Sequence, residues 1–158
     1  MKKSLSIILM ILVGGFFAFT SCEDEETEDP GSNPTATLKG TVYADLDVSN
    51  AGMEKVSAGK TVIFRINAQD LVLDPVAGYT YQTLQYETQT DADGNYSIQL
   101  PTATHQAVPV NVKAVSFEAQ QTQTDDSYMD RVYEHTGGSV AATQDGEITY
   151  LDIAYTAY

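Results

Sequence analysis

From Thr35 onward the chain alternates apolar and polar side chains with a period of two. In "ATLKGTVYAD", Leu38 and Val42 fall on one face with Gly40 between them, and Lys39, Thr41 and Tyr43 on the other. In "KTVIFRIN", Val62, Phe64 and Ile66 align against Ile63, Arg65 and Asn67. "NYSIQLP" sets Tyr96, Ile98 and Leu100 against Ser97 and Gln99, and "ITYLDIAYTAY" sets Leu151, Ile153 and Tyr155 against Tyr150, Asp152 and Ala154. A strand points successive side chains to opposite faces, so this spacing predicts half-buried strands, and the Val, Ile, Tyr and Thr content agrees. No part of 35–158 sustains a helical period. The expected fold class is all-β.

Three places break the pattern. The run from Val108 loses phase, with Val110 and Val112 on one face and Val115 and Phe117 on the other, which predicts a bulge near Ala114. Residues 45–59 and 68–79 read as long connections, and "AQQTQTDDSYMD" at 119–130 is polar without a clear period. The sharpest local signal is Asp91-Ala92-Asp93-Gly94 between two strand-like runs. Asp at the head of a type I turn accepts backbone hydrogen bonds ahead of it, and Gly at the end takes the left-handed conformation, so a hairpin is predicted here. Gln144-Asp145-Gly146 repeats the signal before the final strand.

These segments together, "LKGTV", "AGKTVIF", "TQTDADGNYSIQLP", "VPVNVKAV" and "DGEITYLDIAY", resemble the carboxypeptidase-regulatory or transthyretin-like domain. The resemblance spans about residues 36–155 and rests on Gly40 to Val42, Ala58 to Val62 and Thr90 to Tyr96. It implies a single seven-strand Greek-key sandwich over 35–158. Its motifs are structural, so they speak to fold and not to chemistry.

Ahead of this domain the composition changes. Lys2 and Lys3 precede an apolar run from Ile7 to Phe19, and its thirteen residues fall short of the roughly 20 needed to span a bilayer as a helix. A charged start, a short apolar stretch and small residues before a boundary describe a secretory signal over 1–21. The chain's one cysteine follows at once, in "FTSC". That tetrad is similar to a bacterial lipobox, with Phe19 where leucine is usual. The resemblance implies lipidation of Cys22 after cleavage behind Ser21, with the membrane as partner through the lipid. Two or more acyl chains hold a protein stably where one does not, and a lone Cys has no disulfide to form.

Six of residues 23–29 are acidic, and Pro30, Gly31, Ser32, Asn33 and Pro34 follow. Such a segment stays solvated and extended, so 22–34 reads as a tether reaching about 40 Å. An acidic run directly after a lipidated Cys also resembles the export signal of Bacteroidetes-type lipoproteins. That implies the outer face of the outer membrane, though a plain linker has the same composition. The chain carries 22 acids against 8 bases, a formal net charge of −14, which repels phosphate backbones and argues against a nucleic-acid partner.

Candidate chemistry is sparse. His105 and His135 stand in polar surroundings without Cys or Glu at ligand spacing, whereas a zinc site needs three or four converging ligands, so no metal site is expected. Asp91 and Asp93 invite a calcium reading, but Gly94 falls at loop position 4 instead of 6 and Thr102, not Glu, at position 12. Weak cation binding by that turn stays open beside the purely structural role. There is no Gly-x-Ser-x-Gly elbow and no phosphate-binding glycine loop, so neither a catalytic residue nor a cofactor is assigned and no enzyme activity is expected. Lys39 and Asp152 lie in the first and last strands, where some pilus domains form isopeptide bonds. Alternation turns both toward solvent, away from the desolvation such a bond needs.

Ten tyrosines and no tryptophan complete the inventory. Tyr96 and Tyr155 read as core. Tyr43 and Tyr150 read as outward, and adjacent first and last strands would bring them together as a partner-contact patch for a glycan or a protein. The functional expectation is a surface lipoprotein acting as a non-catalytic binding or accessory module. The alternative is a structural subunit of a surface fibre or complex.

Overall fold

The computed structural model describes residues 33–135, 137–138 and 140–158. The expected signal segment at 1–21, Cys22 and the acidic run at 23–29 lie outside the described residues. Among the described residues eleven strands form two sheets. They are β1 (Thr35–Ala44), β2 (Glu54–Lys55), β3 (Thr61–Asn67), β4 (Thr83–Gln89), β5 (Asn95–Pro101), β6 (Val108–Ala114), β7 (Phe117–Thr122), β8 (Tyr128–Glu134), β9 (Val140–Thr143), β10 (Ile148–Tyr150) and β11 (Ile153–Ala157). One short 3₁₀ turn, Ala68–Leu71, follows β3, with the Asn67 side chain accepting from the Gln69 N–H at 3.0 Å.

The larger sheet runs β10-β1-β11-β8-β7, with β2 and β5 on the other edge of β1; the smaller runs β4-β3-β6-β9. β1 is its hub: it pairs antiparallel with β5 over seven residues and parallel with β10 and then β11. The first and last strands are therefore neighbours. Seven strands are expected from the resemblance and the described residues hold eleven. The last strand is split in two at Leu151–Asp152, β2 is a two-residue segment, and β7 and β8 arise from the stretch without legible period.

The period-two faces are buried as the alternation requires. Leu38, Val42, Val62, Phe64, Ile66, Leu100, Ile153 and Tyr155 are sealed from solvent, and residues of both sheets join one core. Burying side chains of this size stabilises by roughly 1.5–3 kcal/mol each before chain entropy is subtracted. Phe64 and Tyr96 meet between the sheets with ring centroids 5.4 Å apart, so the architecture is a two-sheet β-sandwich.

Two expectations change. The phase shift after Val112 is not a bulge within one strand. β6 lies in the smaller sheet and β7 in the larger, and the chain crosses between them at Val115–Ser116. Val115 turns outward there, and its carbonyl accepts the Tyr155 hydroxyl at 2.9 Å. Likewise the 91–94 turn does not close a hairpin ladder. Its hydrogen bonds are those anticipated, with Asp91 Oδ1 accepting from the N–H groups of Asp93 and Asn95, both at 2.9 Å, and Gly94 at φ 72°. However, β4 pairs with β3 and β5 pairs with β1, so the turn is an arch from one sheet to the other. The 144–146 turn is a second arch, from β9 to β10, with Gly146 at φ 73°.

A polar groove over a break in the β1 ladder

The groove begins with a missing hydrogen bond. β1 and the last strand hold one register throughout, with Lys39 opposite Tyr150 and Val42 opposite Ile153. The Leu151 N–H reaches the Lys39 carbonyl at 2.8 Å. In an unbroken parallel ladder the next bond would join the Thr41 N–H to the Leu151 carbonyl. Instead the Thr41 N–H donates to Asp152 Oδ1 at 2.8 Å, and the Leu151 carbonyl accepts the Tyr96 hydroxyl at 2.5 Å. Side chains thus satisfy both backbone groups that the break leaves over, which is why it is tolerated.

Tyr96 reaches Leu151 by passing beneath Gly40, its register partner on β1. A Cβ at Gly40 would stand 1.9 Å from the Leu151 oxygen and 2.9 Å from the Tyr96 hydroxyl, so only glycine fits. Burial above all, and the Asp152 carboxylate second, hold the Tyr96 hydroxyl well above the ordinary tyrosine range, so it remains a donor.

On the outer side the break opens into a cavity of about 510 Å³. β1 contributes Lys39, Gly40 and Thr41 to its lining, β5 contributes Asn95, Tyr96 and Ser97, and Tyr150 and Asp152 come from the split last strand. Thr88, Gln89 and Asp91 complete the wall from the end of β4 and the arch. Several of these groups are fixed in place. Asp91 and Asp152 each commit one carboxylate oxygen to backbone N–H groups, and Asn95 Oδ1 accepts the Thr41 hydroxyl at 2.8 Å. Thr88 Oγ1 bonds the Ser97 carbonyl at 3.2 Å and ties the wall to β5.

Of the two tyrosines singled out in the sequence, Tyr150 lines the groove and is 73% exposed. Tyr43 shares the outer face of β1 but stands opposite Ala154 and Lys55, about 13 Å farther along the strand, and is half-buried. Sequence reasoning missed Thr41, Asn95, Ser97 and Thr88, ordinary polar residues that only the sheet pairing brings together. Lys39 and Asp152 also meet at the groove, Asp152 exposed and Lys39 half-buried, on the outward face that alternation assigned them.

The other candidates lie elsewhere. His105 lines a smaller polar cavity of about 250 Å³ with Gln144 and Asp145. His135 follows β8 directly and is half-buried despite its polar sequence surroundings, with Nδ1 2.8 Å from the Ala154 carbonyl and its ring 6.0 Å from Tyr155. Among the described residues no three His, Cys, Asp or Glu side chains gather as a metal site.

No protein-family model matches the chain, and none of the curated proteins matches it significantly. Among solved structures it is similar to a minor pilin of the Gram-positive pathogen Streptococcus agalactiae, at 10% identity and a TM-score of 0.43, over 79% of this chain and 45% of the pilin. The chain thus spans a little under half the length of that pilin. It is also similar to the dioxygenase domain of a dioxygenase and carbohydrate-binding protein fusion from the cellulolytic bacterium Streptomyces sp. SirexAA-E. There the identity is 11% and the TM-score 0.38, over 82% of this chain and 84% of that one.

Proposed function

We propose that this protein is a non-catalytic binding module, held at the outer face of the outer membrane by a lipid on Cys22, that takes a glycan or protein partner in the groove over the β1 break. The groove itself carries the reading. Its volume lies within the roughly 300–1,000 Å³ of ligand sites, and its polar groups are oriented before any ligand arrives. The lipobox-like tetrad that ends at Cys22 and the acidic run behind it support the location. Of the folds with this outline we favour the transthyretin-like Greek-key sandwich, on the Gly40 strand, the Thr90–Tyr96 turn and the adjacency of first and last strands. The binding module is preferred to a fibre subunit because β1 and β11 each have strand partners on both edges, which leaves neither a place for a donated strand.

Intact cells treated with diazotised sulfanilic acid, which labels tyrosine and does not cross membranes, test the reading. Tyr128 and Tyr158, each 70% exposed and outside the groove lining, serve as references for Tyr150. On purified protein all three react. On cells the expected result is labelling of Tyr128 and Tyr158 with Tyr150 spared. Equal labelling of all three would mean a vacant groove and defeat the binding role; no labelling of any would defeat the surface location.

A further inference from the structure

The chemistry of the groove narrows its occupant, granted that the groove is a binding site. We propose that it receives an uncharged saccharide chain, with a sugar ring lying on Tyr150 and its hydroxyls taken by Asp91, Asp152, Asn95 and Lys39.

The lining contains no aliphatic side chain. Peptide partners gain most of their affinity by burying aromatic and aliphatic anchors in pockets that exclude water, and no such pocket exists here. Phosphate and other anionic groups are disfavoured, because Lys39 is the only cation in the lining against two carboxylates on a chain of net charge −14. A bare cation lacks the three-carboxylate or imidazole cluster it would need among the described residues. What remains suited to this wall is a neutral molecule with many hydroxyls and at least one carbon-rich face.

Each part of the groove meets one of those needs. Tyr150 stands 73% exposed beside Lys39 in the strand pair, an apolar ring held by the sheet with only two side-chain torsions to restrict. Asp152 Oδ1 is held at 2.8 Å by the Thr41 N–H, and Asp91 Oδ1 by two N–H groups at 2.9 Å, so the second oxygen of each carboxylate is a fixed acceptor. Asn95 Oδ1 is taken by the Thr41 hydroxyl, which leaves its amide N–H groups as donors. Lys39 adds an ammonium donor. Fixed donors and acceptors next to an aromatic platform cost little ordering entropy when a hydroxylated chain binds.

Titration calorimetry with the full chain in detergent tests this, using maltohexaose, cellohexaose and xylohexaose as neutral probes and hexagalacturonate as the charged one. At least one neutral hexasaccharide is expected to bind, and hexagalacturonate is not. Tyr150→Ala should weaken that binding by about tenfold or more, with Tyr150→Phe within about threefold of wild type. The side chain is exposed, so an unchanged melting temperature establishes that the variants are folded. Failure of all three neutral probes, equal binding of hexagalacturonate, or indifference to Tyr150→Ala would overturn the proposal. Failure here with Tyr150 still spared on intact cells removes the saccharide and leaves the groove as a site; failure with Tyr150 labelled removes both.

Discussion

The hydroxyl of Tyr96 reaches the carbonyl of Leu151 by crossing under Gly40, so one side chain links three strands at the point where their ladder is interrupted. The phenol on β5 completes a backbone bond missing between β1 and the last strand. The same event sends the Thr41 N–H to Asp152 and fixes that carboxylate in the lining of the groove. Core packing and groove geometry are therefore one feature: the Tyr96 ring lies against Phe64 inside, and Asp152 faces outward.

Gly40→Ala should be among the most damaging small substitutions in the domain. Its Cβ would meet the Leu151 oxygen at 1.9 Å, backbone that yields only by moving a strand, at a cost of roughly 2–3 kcal/mol. Gly146→Ala is the control. There φ is +73° with nothing within 4 Å, so only the left-handed backbone is strained, by about 1 kcal/mol. Tyr96→Phe, which strands the Leu151 carbonyl, should cost about 1–3 kcal/mol. Because both changes at the crossing break the same bond, the double variant should be less unstable than the sum of the two. Urea unfolding checks all four. Equal losses for Gly40→Ala and Gly146→Ala, or strict additivity with Tyr96→Phe, would refute the crossing as described.

The parts of this fold that were legible are those where one strand face is buried and the other is not. β1, β3, β5 and β11 announce themselves because Leu38, Val62, Phe64, Leu100 and Ile153 recur at period two. β7 did not, because its inward positions are Phe117, Ala119 and Gln121, and a glutamine in the core face erases the period. Gln121 is tolerated there because its amide donates to the Asp45 carbonyl at 2.7 Å, a partner 76 residues away. Turn chemistry told where the chain reverses at 91–94 and 144–146. It did not tell that each reversal changes sheets, since Asp and Gly fix local dihedral angles and not the strand that comes next. As a partner-contact position the groove was legible at Tyr150, while Lys39, Asp152 and Asp91 were singled out for other chemistry. Thr41 and Asp152 are 111 positions apart, and only the parallel register of first and last strands makes them a unit.

Alkali should unfold the protein earlier than it ionises the buried tyrosines of the native state. In the unfolded chain a phenol titrates near 10, whereas burial pushes the Tyr155 hydroxyl up to about 12 and that of Tyr96 higher still. Between those values the unfolded chain has released protons that the folded one retains. The stabilising effect of these groups is thus fully present below pH 10 and is lost as pH rises toward 12. Melting temperature should be level up to about pH 9 and then fall. Tyr155→Phe, which cannot ionise, should flatten the fall. A curve identical to wild type would mean that Tyr155 is not the group responsible.

The arch at 91–94 should behave as a structural device and not as a cation site. Asp91 Oδ1 already receives two N–H donors, and Gly94, at φ +72°, packs so closely that a Cβ would come within 2.9 Å of the Val56 carbonyl. Asp91→Ala removes an acceptor shared by two N–H groups and should cost about 1–3 kcal/mol. Asp91→Asn keeps an acceptor oxygen at the same position and should recover most of the loss. Millimolar calcium should leave the melting temperature of the wild-type protein unchanged, because the anchored oxygen is oriented by donors and the described residues bring no third carboxylate to the turn. A calcium-dependent rise that disappears in both Asp91 variants would reverse the assignment and make the turn a metal loop.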